Sequence, residues 1–240
     1  VNAVRSAWPG SPAPRVRLLP RRVPSDEIPK GFEHPDQGIA IGLDEAALAP
    51  VFLNFETDPF LLVLGDTESG KTATIRLLVK QLTEYYQPDE AKFAVCDFRR
   101  TLLETVPDDY LVEYAPLAAA LEAQADGIRQ LMEKRAPQAD ITPQQLRDRS
   151  WWSGPRLFVV VDDFDLVATS TGNPLDQLVE HLPYARDIGI RFIIARNTAG
   201  ASRAMYEPFL TRMKELGAQG IVLSGDPSES DLIGNVTPRP

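Results

Sequence analysis

The segment Gly65-Asp66-Thr67-Glu68-Ser69-Gly70-Lys71-Thr72 constrains this chain more than any other feature. Its spacing is that of a P-loop: a glycine, four residues, then Gly-Lys-Thr. It follows Phe60-Leu61-Leu62-Val63-Leu64, a run with no polar residue, which reads as a strand buried on both faces. Beyond it, Ile75, Leu78, Val79 and Leu82 recur at helical spacing, and Pro88 stops the pattern. Gly65 and Gly70 let the backbone curl so that successive N–H groups face a phosphate, and the helix aims its positive end at the same point. The pattern predicts a nucleoside triphosphate held by residues 65–72. Lys71 is expected on the β- and γ-phosphates, and Thr72 is expected to offer its hydroxyl to Mg²⁺.

The rest of the chain alternates in the same way. Short segments at 38–43, 51–55, 92–96, 112–114, 157–161, 189–195 and 220–224 read as strands: 51–55 alternates as a half-exposed strand does, 112–114 is expected at an edge, and 157–161, the most hydrophobic run, at the centre. Helical spacing covers 72–86 and 116–135, the latter with Leu117, Leu121, Ile128, Leu131 and Met132 on one side. Thr142 and Pro143 read as an N-cap and a first helical residue. Residues 175–187 read as a helix interrupted at Pro183, and 208–216 as one ended by Gly217. The expected fold is an α/β P-loop NTPase with a mostly parallel central sheet and helices on both faces. In such sheets ligands sit at the carboxyl ends of the strands, so loops 65–71 and 162–165 are expected to meet.

A second motif falls where that argument needs one. Val159-Val160-Val161-Asp162-Asp163 ends a central strand on carboxylates, as a Walker B motif does, and Asp162 is expected to hold Mg²⁺ through water. The bland alternative is an aspartate that caps a turn. Asp163 occupies the position where motor ATPases of this kind carry Glu to polarise the attacking water. Asp is one methylene shorter, and a misplacement of about 1 Å costs around 10²-fold in rate. Asp163 is therefore expected to bear on catalysis, with ATP bound firmly and hydrolysed slowly or not at all. Arg196 and Asn197, just past the strand at 189–195, read either as γ-phosphate sensors or as a solvated loop. Arg203 and Arg212 are weighed as arginine fingers against ordinary surface positions. Asp97 reads as a site residue or a helix cap, and Trp151-Trp152 as a partner anchor or as packing on the sheet edge.

Residues 1–36 read as a basic, Pro-rich linker and 37–240 as the compact domain. Prolines stand at 9, 12, 14, 20 and 24, and Arg5, Arg15, Arg17, Arg21 and Arg22 precede the first acidic residue. The start at Val1 reads as a cut from a longer polypeptide. The net charge of −9 argues against nucleic acid as a partner, because phosphate neutralisation needs clustered Lys and Arg. One cysteine, Cys96, leaves no intramolecular disulfide or Cys-rich metal site, and His34 and His181 are too far apart in sequence to suggest zinc. No apolar run approaches the roughly 20 residues that span a bilayer. The expected compartment is the cytosol or the cytosolic face of a membrane.

Several segments together resemble one family. Besides residues 65–72 and 157–167, they are Leu146-Arg-Asp-Arg-Ser-Trp-Trp-Ser-Gly-Pro155, Ala195-Arg-Asn-Thr-Ala-Gly-Ala-Ser-Arg-Ala-Met-Tyr-Glu-Pro208 and Leu223-Ser-Gly-Asp226. As a set they resemble the FtsK/SpoIIIE-type ATPase domains of EccC, from the type VII (ESX) secretion systems of mycobacteria and actinobacteria. The resemblance covers essentially the whole chain and is most like the last, C-terminal domain. It implies a RecA/FtsK-like fold, ATP and Mg²⁺ as ligands, and neighbouring ATPase domains and an ESX membrane complex as partners. It further implies secreted WXG100-type substrates, received through their C-terminal signal. Two other activities stay open: a working ATPase that drives protein translocation once assembled, and a DNA translocase, which the acidic balance disfavours.

Overall fold

The computed structural model describes residues 18–169, 172–229, 232–234 and 236–239. Its centre is a six-stranded sheet in which every pairing is parallel. In spatial order the strands are β5 (Leu111–Ala115), β4 (Ala91–Cys96), β6 (Arg156–Val161), β7 (Ile190–Arg196), β3 (Phe60–Leu64) and β8 (Gln219–Val222). The expected α/β architecture is borne out, and β6 lies in the middle as its apolar run required. A separate antiparallel pair, β1 (Ile39–Leu43) and β2 (Pro50–Leu53), is turned by Asp44, whose carboxylate accepts from the N–H groups of Ala47 and Ala49.

Period-two alternation divides each inner strand between two cores. On one face Leu62, Leu64, Val159, Val161, Phe192 and Ile194 pack against α2 (Ala118–Arg135) and α6 (Pro208–Glu215). On the other, Leu61, Val63, Phe158, Val160 and Ile193 meet α1 (Lys71–Tyr85) and the β1–β2 pair. Parallel strands covered on both sides have no solvated face, which is why β3 and β6 read as almost unbroken apolar runs.

Three sequence expectations need adjustment. Residues 174–184 wind as a 3₁₀ helix rather than an α-helix, with Pro174 opening it and Pro183 inside. The segment still buries Leu175, Leu178 and Leu182, and Pro183 offers no backbone N–H to it. Leu117 is not on the buried side of α2; it is the N-cap and half-exposed. Part of the expected linker is packed against the domain. Ile28 is buried, Lys30 pairs with Glu84 at 2.7 Å, and the Tyr85 hydroxyl donates to the Pro35 carbonyl. Residues 1–17 of that segment lie outside the described residues. The cap predicted at Thr142 forms: its hydroxyl accepts from Gln145 N–H at the start of α3 (Pro143–Asp148).

Candidate nucleotide site

β7 lies between β3 and β6, so the P-loop and the Asp162-Asp163 pair leave the sheet one strand apart on the same edge. β4, on the far side of β6, ends on that edge as well. Four strand ends therefore surround one cleft, a cavity of about 300 Å³ lined by Thr67, Glu68, Lys71, Thr72, Asp163 and Asn197 among others.

The P-loop is shaped by contacts at both of its ends. Gly65 N–H donates to the Arg196 carbonyl, and a Cβ at Gly65 would lie 2.2 Å from Ser69 Oγ and 3.2 Å from Leu223 Cβ, so a larger residue there would have to push these side chains aside. Asp66 is tied down by its neighbours: its N–H donates to Ser224 Oγ at 3.1 Å, and its carboxylate accepts from the Thr198 hydroxyl. Glu68 and Gly70 both have positive φ, 63° and 101°. Gly70 is the N-cap of α1 and offers no side chain to the first-turn N–H groups. Those groups are the donors an anion would take. Lys71 is buried, and its ammonium donates to the carbonyls of Gly65 at 3.0 Å and Asp66 at 2.8 Å. Ser69 Oγ is buried without a hydrogen-bond partner among the described residues. A phosphate fits this arrangement of uncapped amides, an orphan hydroxyl and an ammonium.

The carboxylates face the P-loop. Thr72 Oγ1 donates to Asp162 Oδ2 at 2.7 Å, which puts the two expected Mg²⁺ ligands side by side. Asp162 also accepts from Asp163 N–H at 3.0 Å, and Thr101 Oγ1 lies 3.2 Å from its Oδ2. Burial raises its carboxyl above the ordinary range; the Thr72 hydroxyl opposes this and the charge of Asp163 adds to it. An oxygen pair that is costly to ionise without a countercharge suits a hard cation. Thr72 and Asp162 are the residues that would hold Mg²⁺, which would supply that countercharge beside the phosphates.

Asp163 opens α4 (Phe164–Val167) with a left-handed backbone, φ 48° and ψ 55°, and its carboxylate pairs with Arg99 Nε at 2.7 Å. Asn197 reaches the same cavity. Its side-chain amide donates to Thr67 Oγ1 at 3.4 Å, and its own N–H is held by the Asp165 carboxylate at 3.1 Å. Arg196, weighed as a phosphate sensor, is buried instead. It pairs with Asp165 at 3.2 Å and donates to the Asn197 carbonyl, so it braces the loop after β7.

The remaining candidates lie elsewhere. Arg203 is exposed on α5 (Ala201–Ala204), and Arg212 pairs with Glu215 at 2.9 Å on α6. Trp151 and Trp152 are packed near the amino ends of β6 and β7, where their indoles donate to the carbonyls of Arg135 and Asp187. Asp97 is buried as the cap of the turn after β4: it accepts from Leu102 N–H and the Tyr114 hydroxyl. That turn carries Arg99 and Thr101 into the cleft, two residues the sequence reading did not assign to the site. The available signal was Asp97 itself, a carboxylate at a strand end on the ligand-binding edge.

Residues 29–138 match the model of the FtsK/SpoIIIE family. The ESX secretion system protein EccC of Thermomonospora curvata is 46% identical over 239 residues, covering 100% of this chain and 18% of that protein. The ESX-4 secretion system protein EccC4 of Mycobacterium tuberculosis is 42% identical, covering 95% of this chain and 18% of its own length. The chain thus spans under a fifth of these curated relatives. A solved structure of Thermomonospora curvata EccC (ATPases 2 and 3), in complex with a signal sequence peptide, superposes with a TM-score of 0.88. It is 45% identical, over 99% of this chain and 42% of that one. With its P-loop, its strand-end carboxylates and its parallel sheet, the chain belongs to the FtsK/SpoIIIE family, as an ATPase domain of the EccC type.

Proposed function

We propose that this domain binds ATP with Mg²⁺ through residues 65–72 and Asp162, hydrolyses it slowly or not at all, and serves as a nucleotide-locked module of a type VII secretion motor. The observation that carries the reading is the state of Asp163. Its short side chain is held by Arg99 at 2.7 Å, at the position where a longer, free carboxylate is needed to polarise water. The P-loop, by contrast, has its binding groups in place. Binding and turnover are therefore uncoupled: ATP stabilises the domain by mass action while the chemical step lags.

In this reading the domain works beside neighbouring ATPase domains, at the cytosolic face of an ESX membrane complex, as the last of the series. It contributes to receiving WXG100-type substrates through their C-terminal signal. The solved Thermomonospora curvata relative, bound to a signal sequence peptide, supports that role. The net charge of −9 supports protein rather than DNA as cargo.

Phosphate release by the isolated domain tests the proposal. The expected outcome is turnover far below the 1–10³ s⁻¹ of typical enzymes, rising on Asp163→Glu. Motor-like turnover in the unmodified domain would overturn it.

A further inference from the structure

The second carboxylate at the end of β6 is not presented freely to the cavity. Arg99 reaches it from the turn after β4, and that turn is fixed at its root. Asp97, 1% exposed, accepts from the hydroxyl of Tyr114 at 2.7 Å and from that of Thr101 at 3.3 Å, and from Leu102 N–H. Thr101 Oγ1 in turn lies 3.2 Å from Asp162 Oδ2. One anchored turn thus faces both carboxylates, Thr101 the first and Arg99 the second. Arg99 lines the same cavity as Lys71 and Asn197.

We propose that Arg99 is a positioning residue that holds Asp163 in an ion pair and so withholds it from the attacking water. The inference rests on the slow-hydrolysis reading above and names a device behind it. Hydrolysis breaks the bond from the bridging oxygen to the terminal phosphorus and forms one from a water oxygen. The proton that water loses needs an acceptor. The Asp163 oxygen that would take it is already engaged by Arg99 Nε at 2.7 Å and must leave that pair before it can face the water. The Arg99 side chain is 62% exposed, and a pair so open to solvent biases its conformations by about fivefold or less. Arg99 is therefore a brake that can be released, acting on top of the shortness of Asp163.

Single-turnover hydrolysis of radiolabelled ATP with Mg²⁺ tests this on the full chain and on Arg99→Gln, Arg99→Lys, Asp163→Asn and the double variant Arg99→Gln/Asp163→Asn. Binding of a fluorescent ATP analogue and thermal melting are measured alongside. The expected result is a threefold to fivefold faster rate in Arg99→Gln, with the slow rate restored in Arg99→Lys. No acceleration is expected when Arg99→Gln is added to Asp163→Asn. Analogue affinity should stay within about twofold of the parent, and the melting effects of the two single substitutions should be non-additive. An Arg99→Gln rate that is unchanged, lower or still below detection overturns the inference. So does a tenfold loss of affinity, which would make Arg99 a phosphate ligand, or additive melting effects, which would deny the pair. Motor-like turnover in the unmodified chain would defeat the slow-hydrolysis reading itself, whereas slow turnover unaffected by Arg99 would defeat the brake alone.

Discussion

Asp162 shows how the cleft stores unfavourable charge. It is 2% exposed, and burial lifts its carboxyl above the ordinary value of 3.8. The folded chain therefore holds the proton more tightly than the unfolded chain does. The stability this confers is fully present below pH 3.8 and is lost as pH rises through the raised folded value. Asp162→Asn removes that loss. Without divalent cations, the variant is expected to melt above the parent at pH 7, and its advantage should shrink as pH falls towards 3.8. Melting curves across that range check the sign; an advantage that grows with falling pH would contradict it. With Mg²⁺ and ATP the order should reverse, because Asn offers the cation no charge.

At the scale of elements, the opposite edge of the sheet is held by a polar joint. Arg191 on β7 is 1% exposed, and burial pushes its guanidinium down to about 10 while Glu56 works to hold it up. Glu56, in the turn between β2 and β3, accepts from the Tyr86 hydroxyl at 2.8 Å and pairs with Arg156 as well as Arg191. Burial raises the Glu56 carboxyl, but Tyr86 and Arg156 outweigh it and the net direction is downward. Glu56→Ala leaves a buried cation without its countercharge and should cost on the order of 3 kcal/mol. Urea unfolding reads this directly, and a loss below about 1 kcal/mol would show the joint to be dispensable. Glu56→Gln keeps an acceptor for Tyr86 and should cost less.

These elements also show what can be read from sequence and what cannot. β3 and most of β6 announced themselves because parallel strands buried on both faces are apolar in nearly every position, whereas β7 interrupts that pattern with the buried Arg191. The P-loop was legible because its chemistry is local: all eight residues are contiguous. The 3₁₀ winding of 174–184 was hidden by leucine spacing that suits either helix type. Arg99, Thr101 and Glu56 were missed for another reason. Their partners Asp163, Asp162 and Arg191 are distant in sequence and meet them only through strand order, which periodicity does not encode.

For the whole molecule, the sheet separates two tasks. Its carboxyl edge gathers the P-loop, Asp162, Asp163 and Asn197, while its amino edge carries the arginine–carboxylate joint and the packed tryptophans. Nothing in this arrangement requires hydrolysis for ATP to hold the domain together. At an ATP concentration 100 times Kd, binding adds about 2.7 kcal/mol of stability. In a chain of this size that amounts to a rise in melting temperature of roughly 5–10 °C. The most direct measurement is the melting temperature with and without ATP-Mg²⁺, taken on the same sample in which phosphate release is followed. The expected result is a rise of that size, abolished by Lys71→Ala, with almost no phosphate released over the experiment. No rise in the parent domain, or a rise that fades as phosphate accumulates at a motor-like rate, would contradict it.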